Sequence, residues 1–367
     1  MPRHAPRPFR FISMALTCVA SAGLSAIALA AQQRSFVASF GSDAANCQLA
    51  TPCRSFNAAI AQTLANGEVV ILDTAGYGPM AINKSLKVIG PSGVYGGISV
   101  TTPGTDGITI NAGDSDVVTL RGLDVAGLGG LVGINVVNAG AVHIEKSSVS
   151  NFTLNAGACV KLSTAKAVQL FVADSFLREC STGVLVDGTV DANKPVATID
   201  NTRIERGANT EGGTITGVKA TGNYFVNIRN SQITSGQVGV SAAAAFPTNT
   251  VAVQIVDTQI TLMTIAGVVT SGTGGGAATS LTVNLQNSTI NASTAALKNG
   301  FGTFRLKDNV FANVTHLLVN CGSDQFWGPS YEATNARGSN FFVDFANPGA
   351  AGIGCTTYNS PGKVNAQ

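Results

Sequence analysis

One eight-residue pattern recurs through the middle of the chain and constrains the fold more than any other feature. It reads apolar, any, apolar, any, Asn or Asp, small polar, any, apolar, as in VNIRNSQI at 226–233. Its fifth position returns at intervals of 21 to 30 residues. The fifth positions are Gly122, Lys146, Asp174, Asn201, Asn230, Asp257, Asn287 and Asp308. A repeat of this length is typical of solenoid proteins.

A second, shorter pattern lies between the copies of the eight-residue pattern. It is a small residue followed by an apolar one, as in Gly183-Val184 and Gly217-Val218. Each repeat therefore contains at least two short strands with alternating burial. No repeat can bury its apolar face alone, so we expect the repeats to stack as coils. Each strand then pairs in parallel with its equivalents above and below. The Asn or Asp at the fifth position suits a left-handed bend, where stacked side chains can hydrogen-bond along the axis.

The two ends of the chain differ from the repeats. We predict a cap at residues 32–75 that contains an amphipathic helix at 55–65 and a first strand, coils at 76–320, and a C-terminal cap or tail at 321–367. Ser55 is the predicted helix N-cap and Leu64 part of the buried stripe. The C-terminal segment is rich in aromatic residues, which indicates a cap or, alternatively, a carbohydrate-stacking platform. These residues are Phe326, Trp327, Tyr331, Phe341, Phe342 and Phe345.

Residues 1–31 are typical of a signal peptide, with three arginines, an apolar stretch and the cleavage sequence Ala28-Leu29-Ala30. An uncleaved anchor and a lipoprotein through Cys18 are the alternatives. We expect no transmembrane segment after cleavage, and export to the periplasm, the cell surface or the medium. The segment carries no acid, so its removal changes the net charge from +2 to −1. Nothing in that balance favours nucleic acid as a partner.

Six cysteines remain after the predicted cleavage, an even number that indicates disulfides in an oxidising compartment. Cys47–Cys53 and Cys321–Cys355 are the expected pairs, with Cys159–Cys180 as a further candidate. Metal binding is the rival interpretation, but C-x-x-C is absent and the whole chain has 3 His. We therefore predict neither a metal site nor a cofactor.

Several segments resemble secreted bacterial right-handed parallel β-helix proteins of the pectin-lyase-like superfamily, in particular uncharacterised proteobacterial members. The segments are Thr51-Pro-Cys-Arg-Ser-Phe56, residues 67–73, residues 76–79, residues 82–86 and the repeated coils. The resemblance implies an all-β fold. The expected architecture is a single-stranded right-handed parallel β-helix of about 8 to 10 coils with an N-terminal capping α-helix. It implies little about activity, because this fold carries lyases, hydrolases, adhesins and proteins without known catalysis.

The motifs of the catalytic members are absent. The galacturonan hydrolases of this family carry N-T-D, D-D, G-H-G and R-I-K segments, and related lyases carry a W-x-D-H segment; none occurs here. Inverting hydrolysis would also need two carboxyl groups about 6.5–9.5 Å apart. The nearest approach to an acid-rich segment is Asp114-Ser-Asp116, in a turn.

The second and fourth positions of the repeat point outward and provide the candidate ligand-binding residues. These are Arg121, His143, Glu145, Asp200, Asn227 and Arg229. Simple surface ion pairing is the alternative interpretation, with Arg121 over Glu145 and Asp200 beside Arg229.

We predict a non-catalytic exported protein that binds a glycan, such as a polysaccharide or cell-surface glycan, or another partner along its long face. A polysaccharide lyase or glycoside hydrolase acting on an acidic polysaccharide such as pectin is the alternative. An autotransporter passenger is disfavoured, because few residues follow the repeats. The oligomeric state is left open.

Overall fold

The computed structural model describes residues 31–188, 194–244, 250–272, 280–300, 302–319, 330–332 and 341–345. These residues form a right-handed parallel β-helix of about nine turns, as the repeat and the resemblance predicted. Every strand pair within it is parallel, as in β11 between β8 and β14 of the sheet defined below. No helix in this part of the chain is long and apolar enough to cross a bilayer.

The described part contains one helix, α1 (Phe56–Gln62), and 29 strands. In chain order the strands are β1 (Gln32–Val37), β2 (Thr63–Ile71), β3 (Ala75–Gly76), β4 (Met80–Ile82), β5 (Leu86–Ile89), β6 (Gly96–Val100), β7 (Asp106–Asn111), β8 (Val117–Arg121), β9 (Leu123–Gly127), β10 (Val132–Asn138), β11 (Ala141–Glu145), β12 (Ser148–Ser150), β13 (Ala158–Thr164), β14 (Gln169–Ala173), β15 (Phe176–Arg178), β16 (Thr182–Gly188), β17 (Val196–Asp200), β18 (Arg203–Glu205), β19 (Thr216–Thr221), β20 (Tyr224–Arg229), β21 (Gln232–Ala244), β22 (Thr250–Val256), β23 (Gln259–Gly272), β24 (Ser280–Gln286), β25 (Thr289–Asn299), β26 (Thr303–Lys307), β27 (Val310–Val319), β28 (Ser330–Glu332) and β29 (Phe341–Phe345).

Each coil has three faces. The first face is a 12-stranded sheet in the order β1-β2-β5-β8-β11-β14-β17-β20-β22-β24-β26-β28. The second face contains the short strands of the β9-β12-β15-β18 series, and the third contains the β7-β10-β13-β16-β19 series. From β21 onward, one long strand covers both the second and the third face of its coil. Inward Val, Ile and Leu side chains of all three faces fill the centre of the solenoid.

The bend between the first and second faces confirms the predicted left-handed geometry at the fifth position. All eight fifth positions have positive φ, between 45° and 68°. The backbone N–H there donates to the next coil, as from Asn201 to the carbonyl of Arg229 at 3.2 Å. Side-chain bonds from these bends run along the axis, from Asn201 to Asp174 at 2.7 Å, from Asn230 to Asp200 at 3.0 Å and from Asn287 to Asp257.

A second left-handed bend, between the second and third faces, was not predicted. Its residues, one in each coil, are Asn151, Glu179, Arg206, Ser235, Leu262, Ala292 and Asn313. Their φ angles lie between 51° and 67°. The sequence does not reveal this bend because several side chains at these positions are not typical of left-handed backbone.

The N-terminal helix packs against β1, β2 and β4. Ser55 is its N-cap, as predicted, and accepts from the N–H of Ala58 at 3.3 Å. The helix is shorter than the predicted 55–65, because Thr63 turns extended and its hydroxyl donates to the carbonyl of Ala59 at 2.7 Å. Leu64 consequently lies in β2 and is 40% exposed, so its assignment to the buried stripe was wrong.

Two disulfides are present, Cys47–Cys53 and Cys159–Cys180. The first holds a loop whose Cys53 exchanges backbone hydrogen bonds with β1, the outermost strand of the first face. The loop therefore covers an edge that would otherwise be open to pairing with another chain. Cys321 and Cys355 lie outside the described residues, as do most of residues 1–31 and the aromatic residues Phe326 and Trp327.

Two strands lie within the segment 321–367, where a cap or tail was expected. β28 pairs in parallel with β26, and β29 pairs in parallel with β27. The stacking therefore continues past residue 320.

Candidate functional site: the first face and a corner groove

The six predicted ligand-binding residues lie on the outer surface of the first face. Arg121 ends β8, His143 and Glu145 lie on β11, Asp200 ends β17, and the remaining two, Asn227 and Arg229, lie on β20. The register places them in two columns that run along the solenoid axis.

The charged members of this set neutralise one another. Arg121 lies 3.9 Å from Glu145, and Arg229 lies 3.0 Å from Asp200. Ala173 separates the two pairs in the same column. The four side chains are between 29% and 56% exposed, so each pair contributes no more than about 1 kcal/mol to stability.

The other column carries an aromatic stack. The ring of His143 lies on that of Phe171, with centroids 4.7 Å apart and an 8° angle between the planes. Asn227 lies in the same column, two coils beyond Phe171. Its Oδ1 is buried and has no hydrogen-bond partner in the described part of the chain.

The two acids of this set, Glu145 and Asp200, lie in one column. They are two coils apart, and each is paired with an arginine. Within the described ranges, no three His, Cys, Asp or Glu side chains are placed to share a metal ion.

A groove of about 380 Å³ opens at the corner between the first and second faces, which we call the corner groove. It is next to Arg121 and Glu145, since Gly122 and Lys146 follow them in the chain. Its lining includes Tyr95, Gly122, Asp124, Lys146, Ser148, Asp174 and Phe176. Its volume lies within the range of small-molecule sites.

The groove exists because small residues interrupt two columns of side chains. On the second face the column runs Gly97, Asp124, Ser148, Phe176. A Cβ at Gly97 would approach the Tyr95 ring to 2.5 Å, so that glycine is what lets the ring lie against the strand. A Cβ at Gly122 would lie 2.2 Å from the carbonyl oxygen of Gly90, so this glycine allows the two coils to approach at the bend.

Polar groups lie between the two aromatic side chains. The Tyr95 hydroxyl donates to Asp124 Oδ1 at 3.4 Å, and burial followed by the charge of Asp124 raises the pKa of this tyrosine. Asp174 accepts from Asn201 Nδ2 at 2.7 Å. Lys146 is exposed at the bend between the two acids.

The Phe176 ring is flanked by two guanidinium groups. Those of Arg178 and Arg203 lie 5.7 and 5.5 Å from its centroid. Arg203 is also paired with Glu205 at 2.8 Å. These contacts restrict the ring at the edge of the groove.

A second cavity surrounds the Cys159–Cys180 disulfide but holds only about 20 Å³. That is room for roughly one water molecule. A loop after β18 encloses this region, with the N–H of Thr210 donating to the carbonyl of Thr153 at 2.9 Å.

The sequence analysis missed Tyr95, Asp124 and Phe176. Two of them could have been predicted as surface residues. Asp124 and Phe176 occupy the seventh position of the repeat, which also points outward. Only the second and fourth positions were considered. Tyr95 precedes the regular copies and gave no such signal.

No family model and no curated protein matches the chain. Among solved structures, the chain is similar to the pectate lyase Pel9A, at 11% identity over 79% of this chain and 78% of that one, with a TM-score of 0.46. A rhamnogalacturonan lyase matches at 11% identity over 77% and 74%, with a TM-score of 0.40. The complex of XylC with xylose matches at 9% over 77% and 69%, with a TM-score of 0.46. The class of this protein is therefore defined by its own strands and bends, as a parallel β-helix with an open groove at one corner.

Proposed function

We propose that this protein is an exported, non-catalytic β-helix that binds a saccharide chain at the corner groove and along the adjoining first face. The observation that carries the proposal is the groove itself, with Tyr95 and Phe176 at its two ends and polar side chains between them. Aromatic rings stack on the apolar faces of sugar rings, while carboxylates, hydroxyls and amines bond their hydroxyl groups.

The dimensions of the groove fit an extended ligand that lies along the axis. Tyr95 directly precedes Gly96, and the coil of Gly96 and Gly97 lies three coil spacings from the coil of Phe176. At the spacing of paired strands the groove therefore spans about 14 Å. Next to it, Arg121, Glu145 and the His143–Phe171 stack extend a polar surface in the same direction.

Two further observations support export and a binding role. The Cys47–Cys53 and Cys159–Cys180 disulfides are typical of an oxidising compartment. The ion pairs of the first face hold Glu145 and Asp200 at defined positions on the surface where a ligand would lie.

A glycan array probed with the mature protein tests the proposal. We expect retention on a subset of saccharides, and at least about tenfold weaker binding for Tyr95→Ala and Phe176→Ala. Phe40→Ala is the matched control, because Phe40 is a 74% exposed aromatic residue at the N-terminal cap. Its binding should equal that of the unaltered protein.

The same preparation should be incubated with pectin, alginate and xylan. We expect no increase in reducing ends and no absorbance from unsaturated products. Product release would establish a lyase or hydrolase instead. Absence of retention on every saccharide would refute the binding function.

A further inference from the structure

The charges that line the corner groove point to the class of saccharide it accepts. We propose that the groove selects uncharged sugar units and disfavours uronates, with Asp124 and Asp174 as the residues that set this preference. The inference rests on the proposed function and deepens it, because it specifies the ligand of the same site.

The lining carries two carboxylates and one ammonium group, those of Asp124, Asp174 and Lys146. Both acids are held in place by neighbours, Asp124 by the Tyr95 hydroxyl and Asp174 by Asn201. The net charge at the ligand surface is thus −1, and its acidic groups have fixed positions.

The arginines around the groove do not reverse this balance. Arg121 is paired with Glu145, and Arg203 with Glu205. Arg178 lies over the Phe176 ring. Lys146 is the one cation in the lining that an incoming carboxylate would meet directly, and the lining also holds the two carboxylates.

A uronate unit would enter this groove at an electrostatic disadvantage. Its carboxylate would lose water and come close to Asp124 or Asp174, and like charges at such distances repel by about 1 kcal/mol or more. A neutral sugar avoids that repulsion. Its hydroxyl groups can donate to both carboxylates and accept from Lys146, while its ring stacks on Tyr95 or Phe176.

Two measurable consequences follow. A neutral ligand has no net charge to screen, so its affinity should change less than about twofold between 0.05 and 0.5 M NaCl. A uronate oligomer, in contrast, should bind weakly at low salt and gain affinity as salt screens the two acids.

The experiment is a calorimetric titration of the full mature chain with neutral oligosaccharides (xylo-, manno- and cello-oligomers) and with oligogalacturonates of equal length. We expect the best neutral oligomer to bind at least about tenfold more tightly than any oligogalacturonate. The double variant Asp124→Asn/Asp174→Asn should shrink that ratio about tenfold, because it removes both charges while keeping hydrogen-bonding groups of the same size.

Asp257→Asn is the matched control. Asp257 has the same left-handed bend geometry as Asp174 and accepts from Asn287 as Asp174 accepts from Asn201, but it lies outside the groove. It should leave the ratio unchanged, which separates the effect of charge in the groove from any effect on the bend.

The outcomes discriminate between the two proposals. Tighter binding of oligogalacturonate than of neutral oligomers by the unaltered chain would overturn the selectivity and leave saccharide binding intact. An unchanged ratio in the double variant would remove Asp124 and Asp174 from the explanation and also overturn it. Failure of every oligomer to bind would refute the proposed function, and the selectivity with it.

Discussion

At the scale of single residues, the two left-handed bends determine which side chains the solenoid accepts. The first bend uses Asn, Asp, Gly and Lys, and Asn, Asp and Gly tolerate positive φ. The side chains at the second bend are less well suited to positive φ. Leu262 has a φ of 60° there, with its side chain 56% exposed. The left-handed backbone region costs an L-residue with a branched side chain about 1–2 kcal/mol.

Leu262→Asn should therefore stabilise the protein, by about 1 kcal/mol in the free energy of unfolding. Urea unfolding of the two proteins followed by circular dichroism measures the difference. Ile265→Asn is the control, because Ile265 is also exposed but its φ is not positive. It should bring no gain, and an equal gain from both variants would show that backbone geometry is not the cause.

A second residue-scale feature is the turn that contains Asp116. This carboxylate accepts from the Ser85 hydroxyl at 2.6 Å and from the Gly113 N–H at 2.7 Å. Both bonds favour the charged form, with Ser85 the larger cause, and they hold the pKa of Asp116 below its usual value of 3.8. The turn connects β7 of the third face to β8 of the first.

Because the pKa of Asp116 is lower in the folded state, its stabilising effect is complete above about pH 4. It declines as the pH falls below 3.8 toward the lowered folded value. Asp116→Asn should accordingly flatten the loss of stability between about pH 4 and pH 2.5. Thermal unfolding midpoints at a series of pH values provide the comparison, and parallel curves for the two proteins would contradict the assignment.

At the scale of the structural element, a column of buried polar side chains supports the first bend from inside. It consists of the sixth positions Ser147, Ser175, Thr202, Ser231, Thr258, Ser288 and Asn309, all buried. Most of the hydroxyls donate to the carbonyl two residues earlier, as Ser231 does to Arg229 at 2.7 Å. Several also accept a backbone N–H from the preceding coil, as Ser231 does from Thr202 at 3.2 Å.

Ser231→Ala should cost about 1–3 kcal/mol, because it leaves the buried N–H of Thr202 without an acceptor. Ser99→Ala is the matched control, since Ser99 is exposed on β6. Its expected change is within about 0.5 kcal/mol. Equal effects of the two substitutions on the unfolding midpoint would mean that the inner column does not stabilise the coil.

At the scale of the whole molecule, the fold could be predicted because every coil repeats the same physical requirements. Inward apolar residues and Asn or Asp at a bend recur about every 27 residues, and stacking is how such units bury their apolar faces. The second bend escaped prediction because Glu179, Leu262 and Ala292 do not show a left-handed preference in sequence. The continuation of the stack into β28 and β29 was not predicted, because the repeat pattern is lost there.

The corner groove is formed by side chains from different coils. The repeat does not specify which side chains lie next to one another there. Tyr95 and Phe176 are distant in sequence, and Gly97 leaves room for the Tyr95 ring at one end of the groove. The first-face residues were found because their positions follow the repeat. The ion pairs among them also followed from the register, as that of Arg121 with Glu145 shows.

The central claim is that the corner groove holds a saccharide between its two aromatic residues. The most direct measurement is the nuclear magnetic resonance saturation transferred from the protein to a bound oligosaccharide. Tyr95→Ala/Phe176→Ala is compared with the unaltered chain and with Phe40→Ala. The account predicts transfer to the sugar-ring protons in the unaltered chain and Phe40→Ala, and its loss in the double variant. Undiminished transfer in the double variant would contradict it.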